Sequence, residues 1–370
     1  MKVDVITRHA VSNYGSILQS YATQKAIEKL DHECEIINYI RTDEQGKNKT
    51  KTLCKTSKKW NKNFLTRGLY YIIQTPNYLH SYNKFKKYRK QLLKQTSIEY
   101  SNIEQLKKNL PSADVYCAGS DQIWGVIGNE PCDSTYYLDF VPKKYKCISY
   151  AASIGRDEIS PEIKSSIKKY LPRFSSILVR EQSAVDIIKN EGIKNVELVL
   201  DPTLLLSKEE WNSLCADITH KKKYVLVYQL HENKKFQKYA KQFAKKVGLP
   251  LVRICPTAQN LVRGGKPVFL PTPQEFISYF RDAEYILTDS FHGTVFSIIF
   301  NKKFIDILPG LTSTRITCIL NLLNLETRIL KSYDDFSLIN DNIDYKAANS
   351  ILEKNRNISI KKLKSAIEKE

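Results

Sequence analysis

Short apolar runs alternate along this chain with stretches whose apolar residues recur every three or four positions. Val3–Thr7, Glu35–Tyr39, Asp114–Ala118, Lys146–Ala151, Ile177–Val179 and Val196–Leu200 read as strands, with amphipathic helices over Ile17–Leu30 and Ala184–Lys189. The alternation resumes in the second half. Tyr224–Leu230, Leu251–Cys255, Tyr285–Thr288 and Lys303–Leu308 are predicted strands, and Asn233–Val247, Pro273–Arg281 and Arg315–Leu325 predicted helices, the middle one opened by a proline. Pro256–Pro271 reads as a loop, and a charged Ile/Leu–Lys/Glu helix runs from Ala347 to Glu370. Strand–helix alternation in both halves predicts an α/β protein of two Rossmann-like, doubly wound domains facing a cleft. The expected boundaries are 1–205, 206–345 and a C-terminal helix over 346–370.

A chain of 370 residues has material for two such cores. Charge changes the picture more than length does. The formal net charge is +19, which favours an acidic partner. Much of it sits between Gln45 and Ile98, where 14 Lys and Arg occur with no Asp or Glu, among Trp60, Phe64, Tyr70, Tyr71, Tyr78, Tyr82, Phe85 and Tyr88. This basic excursion, 46–98, is expected to be helical over Tyr82–Lys94 and to face anionic lipid or a polyanionic substrate. The alternative is a solvated basic flank with its aromatics turned inward. No nucleic-acid motif accompanies the charge, so nucleic acid is not expected as a partner. The first residues lack the apolar core of a signal peptide, and no apolar run reaches the roughly 18–20 residues that span a bilayer. A cytoplasmic protein, peripheral at most to the inner membrane face, is the expectation. The eight cysteines form no CxxC pair and none lies near a histidine at metal-ligand spacing, so neither disulfide nor metal site is expected.

Candidate chemistry sits in the turns that follow predicted strands, where parallel sheets bind ligands. Asp289-Ser290-Phe291-His292-Gly293-Thr294 joins a strand to a helix whose N–H groups and dipole suit an anion, and His292 there can hold that anion or move a proton. The competing reading is a histidine that caps or packs the turn. Gly119-Ser120-Asp121-Gln122-Ile123-Trp124 groups a carboxylate, an amide and an indole, the partners of sugar hydroxyls and a sugar face; a turn braced by Asp121 is the alternative. Arg180 ends a strand as an anion partner or as a salt bridge to Glu181 or another acid. The first loop carries Asn13, Tyr14 and Gly15 but no GxGxxG, so a dinucleotide is not expected.

Six blocks in order resemble the polysaccharide pyruvyl transferase family: Asn13–Gln19, Gly119–Trp124, Ser149–Gly155, Val179–Glu181, Asp201–Leu206 and Thr288–Thr294. The resemblance implies a fold similar to GT-B glycosyltransferases and transfer of pyruvate from phosphoenolpyruvate to a sugar as a cyclic ketal, in assembly of capsule or exopolysaccharide. It implies phosphoenolpyruvate as donor substrate with no further cofactor, and a sugar acceptor, lipid- or nucleotide-linked. On this reading His292 and Asp121 are catalytic. Arg180, Ser290, Gly293, Thr294, Arg315, Arg263 and Lys266 hold the donor, and Asn13, Tyr14, Gly15, Ser120, Gln122 and Trp124 the acceptor. Some members of the family carry Arg-Leu-His where this chain has Ser290-Phe291-His292, so another cation must replace that arginine. A nucleotide-sugar glycosyltransferase of the same build, or a non-catalytic protein binding anionic glycan or lipid, are the alternatives.

Overall fold

The computed structural model describes residues 1–58, 60–127, 132–218, 222–310 and 313–369, the Lys47 side chain excepted. The chain forms two compact units, Met1–Leu205 with Ile358–Glu370, and Leu206–Asn357. In the first unit the elements are β1 (Lys2–Ile6), α1 (Tyr14–Glu28), β2 (Glu33–Ile36), α2 (Gly46–Thr56), α3 (Phe64–Leu92), α4 (Ile103–Lys108), β3 (Val115–Ala118), β4 (Lys146–Ala152), α5 (Pro161–Tyr170), β5 (Ser176–Val179), α6 (Gln182–Asn190) and β6 (Val196–Leu198). Its sheet is parallel with the order β2-β1-β3-β4-β5-β6. In a parallel sheet both faces are covered, and β3, Val-Tyr-Cys-Ala, is buried at every position. Ile6, Tyr116, Ala118, Ile148, Ile177 and Val179 are among the residues that fill this interior.

The second unit contains α7 (Lys208–Leu214), β7 (Val225–Tyr228), α8 (Lys234–Val247), β8 (Leu251–Cys255), β9 (Lys266–Phe269), α9 (Pro273–Asp282), β10 (Tyr285–Thr288), α10 (Phe291–Ile299), β11 (Lys303–Asp306), α11 (Thr314–Leu322) and the start of α12 (Tyr345–Glu368). Its parallel sheet runs β11-β10-β7-β8-β9. Capping residues set the helix starts. Asn233 caps α8, which stops at Gly248 in the left-handed region, and Thr272 with Glu275 forms a capping box on α9. From Ile358 onward α12 belongs to the first unit, where the Ser359 hydroxyl accepts the Leu200 N–H at 2.9 Å. Its expected end at Glu370 lies outside the described residues.

Two expectations change. The basic excursion is helical over Gly46–Thr56 and Phe64–Leu92, not only from Tyr82, because Pro76 sits inside a helix that continues past it. Pro256–Pro271 contains the edge strand β9, paired with β8 from Val252 to Cys255. Among the described residues no helix is long and apolar enough to cross a membrane.

Candidate functional site

In the first unit the motif residues converge at the carboxyl edge of the sheet. Asp121, just past β3, adopts φ +83°, a left-handed conformation that costs a non-glycine residue and is held by its surroundings. Its Oδ1 accepts the Gln122 N–H at 2.8 Å and Arg180 Nη2 at 3.3 Å, and its Oδ2 accepts the Ser16 hydroxyl at 3.1 Å. Arg180 Nη1 donates to Asp201 Oδ2 at 2.6 Å and to Ser120 Oγ at 3.1 Å, while its Nε lies 3.8 Å from Glu181 Oε2. Glu181 Oε1 in turn accepts the Ser153 hydroxyl and the Ile154 and Gly155 N–H groups at 2.7–2.8 Å. Burial works to lower the Arg180 pKa, but Asp201, Asp121 and Glu181 outweigh it and the value is raised.

That network corrects several expectations. Arg180 is sealed among three carboxylates, so its charge is already matched, and it ties the β3, β5 and β6 ends together instead of clamping a donor anion. Ser120 is wholly buried inside the same network. Trp124 is 1% exposed, stacked on Tyr137 at 5.5 Å, with its indole N–H given to the Tyr136 carbonyl at 3.1 Å, so it packs the core and offers no plate to a sugar. Asn13 caps α1 through the Gly15 N–H at 2.8 Å, Gly15 is buried in that first turn, and Tyr14 is fully buried against Phe85 at 5.0 Å. All three build the helix start; Tyr14 and Gly15 are buried there, whereas Asn13 stays half-buried. Gln122 lies across Gly155, where an added Cβ would stand 1.9 Å from its Nε2. Asp121 keeps 14% of its side chain exposed and remains accessible to a ligand.

A second polar feature of this unit has no sequence motif. A groove of about 460 Å³ is lined by Tyr39, Arg41, Asp43, Asn102, Asp133 and Thr135, among others. Arg41 forks onto Asp43 at 2.9 and 3.3 Å and reaches Asp133 at 2.6 Å, and the Tyr39 hydroxyl donates to Asp133 at 3.0 Å. Arg41 and Lys55 offset the two carboxylates, and hydroxyl and amide groups ring them, so the groove carries no net charge and suits a neutral polyol. Its halves lie far apart in sequence, which is why no spacing rule finds it.

In the second unit the strand–turn–helix expected from the sequence is present, and its geometry is specific. Ser290 caps α10 through the Gly293 N–H at 3.4 Å. Asp289 accepts the Leu230 N–H at 2.7 Å, the His231 N–H at 2.9 Å and pairs with His231 Nδ1 at 3.2 Å, joining the ends of β7 and β10. A Cβ on Gly293 would fall 2.1 Å from Thr288 Oγ1, so only glycine lets the first turn approach β10. Thr294, expected to hold the donor, is fully buried and donates to Asp306 Oδ1 at 2.7 Å; it locks α10 to β11. Ser290 and Gly293 likewise shape the turn through the cap and the close approach. Asp306 is pushed up to about 8 by burial, against the lowering effect of the Thr294 hydroxyl.

His292 occupies the first turn of α10, 7% exposed, with the Phe291 ring edge-on at 5.2 Å. The Arg315 guanidinium lies over that same Phe291 ring at 5.6 Å, and Arg263 donates to the Gln229 carbonyl at the end of β7, at 3.2 Å. Lys266 does not join them. It sits at the start of β9, in register with Val252, and three strand spacings, roughly 14 Å, separate β9 from β10. Two residues of this edge were not singled out from the sequence. His231 directly follows a predicted strand, and Arg253 is a charge inside the apolar run Leu-Val-Arg-Ile-Cys; those positions were their signals. Arg253 donates to Gln229 Oε1 at 3.0 Å and is pushed down to about 10 by burial, with Arg263 adding to the effect. A helix start, an imidazole and the cations Arg263 and Arg315 together suit a small polyanion that must be held and protonated. Among the described residues no group of three or more His, Cys, Asp or Glu could hold a metal ion.

A family model for polysaccharide pyruvyl transferase matches residues 13–308. No curated protein matches the chain. Solved structures similar to it include a Listeria monocytogenes protein assigned as a UDP-N-acetylglucosamine 2-epimerase, at 10% identity and a TM-score of 0.51 over 95% of this chain and 94% of that one. The S. aureus MnaA–UDP co-structure is similar at 13% identity and a TM-score of 0.51, over 96% of this chain and 89% of that one. A third, the trehalose-6-phosphate structure from E. coli bound with UDP-2-fluoro glucose, gives 9% identity and a TM-score of 0.52 over 100% and 99% of the two chains. At such identities the likeness speaks for the fold alone, which is GT-B-like, with two parallel Rossmann-type sheets. The family match spans most of the chain and takes in both carboxyl edges: the protein belongs to the polysaccharide pyruvyl transferase family.

Proposed function

We propose that this chain transfers the pyruvyl group of phosphoenolpyruvate to two hydroxyls of a sugar as a cyclic ketal, during cell-surface polysaccharide assembly. The observation that carries the reading is His292 in the first turn of α10, with Arg315 stacked on the adjacent Phe291. Phosphoenolpyruvate is a small trianion whose methylene carbon must take a proton before C2 becomes electrophilic. The His292 imidazolium gives that proton, the first sugar hydroxyl bonds to C2, phosphate leaves with the C2–O electron pair, and the second hydroxyl closes the ketal. One hydroxyl proton restores the imidazolium that protonated the carbon and the other goes to the departing phosphate, so the products are a ketal and inorganic phosphate. In place of the arginine that some members of the family carry beside this histidine, Arg315 supplies the cation from α11, with Arg263 as a second donor-site partner. Acceptor recognition is assigned, within this proposal, to Asp121 and to the Tyr39–Asp133 groove of the first unit. The reaction needs no cofactor beyond the donor itself.

A nucleotide-sugar donor is the competing reading, favoured by the UDP and UDP-sugar bound in two structures of similar fold. Calorimetric titration separates the two. Phosphoenolpyruvate should bind the full chain and bind at least about tenfold more weakly to Arg315→Ala, while UDP gives no heat. Tight UDP binding with silence towards phosphoenolpyruvate would overturn the proposal.

A further inference from the structure

Five of the thirteen exposed large apolar side chains among the described residues fall in the first ten residues of α3: Phe64 at 75%, Leu65 at 70%, Leu69 at 51%, Ile72 at 75% and Ile73 at 46%. Leu65, Leu69 and Ile72 stand at i, i+4 and i+7, with Ile73 beside them, so they form one stripe along the helix. Three aromatic residues of the basic excursion do the opposite, although Phe64 is exposed with the stripe. Tyr70 is buried beside Trp60, with ring centroids 5.6 Å apart, and Phe85 and Tyr88 are buried further along, 5.6 Å from one another. The helix therefore has its covered side already, and the aliphatic stripe is a second apolar side that the chain leaves open.

Charge identifies what covers it. Lys51, Lys55, Lys58, Lys62 and Arg67 are exposed around the start of α3, and none of them forms an ion pair among the described residues. No acidic residue occurs between Gln45 and Ile98 that could neutralise them. A second copy of the chain would set two such basic rims against each other. An apolar stripe flanked by lysines fits the plane of an anionic bilayer, with aliphatic side chains in the acyl boundary and ammonium groups among the headgroups.

We propose that the N-terminal part of α3, Phe64 to Ile73, docks the protein on an anionic phospholipid surface. The placement rests on the first unit alone and is independent of the reaction proposed above. It also differs from the sequence expectation in its chemistry, since four aliphatic side chains with Phe64 alone of the aromatics enter the lipid, while Tyr70, Phe85 and Tyr88 are buried.

The test is flotation of the full chain with two kinds of vesicle, phosphatidylcholine alone and phosphatidylcholine mixed with phosphatidylglycerol. The chain should partition at least about tenfold more strongly to the mixed vesicles, and high salt should reduce the difference. Leu69→Ser with Ile72→Ser should weaken that partition by about tenfold or more with an unchanged melting curve, and Lys58→Gln with Lys62→Gln should remove the preference for phosphatidylglycerol. Equal partition of the parent and the serine variant would overturn the proposal. So would a dimer of the parent chain, dissociated by the same substitutions, that ignores both vesicles.

Discussion

At the scale of single residues, buried charge decides which side chains are free to meet a ligand. Arg180 lies within 3.8 Å of three acidic side chains and its pKa is raised, so it acts as an internal counter-ion. Arg180→Ala should cost about 3–5 kcal/mol, because Asp201 and Glu181 are then left buried without their partner. Thermal unfolding reads this, and the folded remainder should keep its affinity for phosphoenolpyruvate. A stable variant that has lost that affinity would restore Arg180 as a donor ligand. His292→Ala should behave in the opposite way, with near-native stability and turnover lower by about 10²–10⁴-fold, the range for a lost general acid. Gly293→Ala forces a Cβ to within 2.1 Å of Thr288 Oγ1 and should destabilise by about 1–3 kcal/mol in denaturant titration.

At the scale of elements, the sheets hold two carboxyls in unusual states. Asp306 in β11 is pushed up to about 8 and Asp4 in β1 up to about 7, both chiefly by burial. Each keeps its proton in the folded chain over a pH range where the unfolded chain has lost it. Their penalty is absent below about pH 4, grows as pH rises through the ordinary carboxylate range, and levels off once the folded pKa is passed. Asp306→Asn keeps an acceptor for the Thr294 hydroxyl, so it should raise the melting temperature at pH 8 and leave it nearly unchanged at pH 4. Equal shifts at both pH values would mean that Asp306 is ionised in the native state.

The elements also show what the sequence could convey. Strand cores such as Val225–Tyr228 and the turn from Thr288 to Thr294 were legible, since continuous apolar runs and a capping serine before a helical pattern are local signals. The edge strand β9, Lys-Pro-Val-Phe, was not, because an edge strand may be polar and its pairing with β8 is set by tertiary contacts. Pro76 hid the first half of α3 for a similar reason. Trp124 and Arg180 were misassigned because residue type and position after a strand do not reveal burial: an indole beside a carboxylate reads as a sugar site until Tyr137 is found stacked on it. The Tyr39–Asp133 groove joins residues that no local window contains.

At the scale of the molecule, a net charge of +19 and the trianionic donor proposed above set the expected salt response. Donor capture should weaken as ionic strength rises, and bilayer docking through α3 should weaken with it, whereas Leu69→Ser with Ile72→Ser should affect only the second. Steady-state rates on a water-soluble acceptor, taken across a salt series with and without vesicles, separate the two.

The central claim is that the family chemistry runs at α10. Its most direct measurement is phosphate release from phosphoenolpyruvate in the presence of a panel of glycan diols, with the mass of each acceptor followed in the same reaction. Equimolar phosphate and pyruvyl ketal should form on at least one acceptor, and His292→Ala should abolish both in a folded protein. An acceptor that instead gains a sugar from a nucleotide donor, with phosphoenolpyruvate left intact, would contradict it.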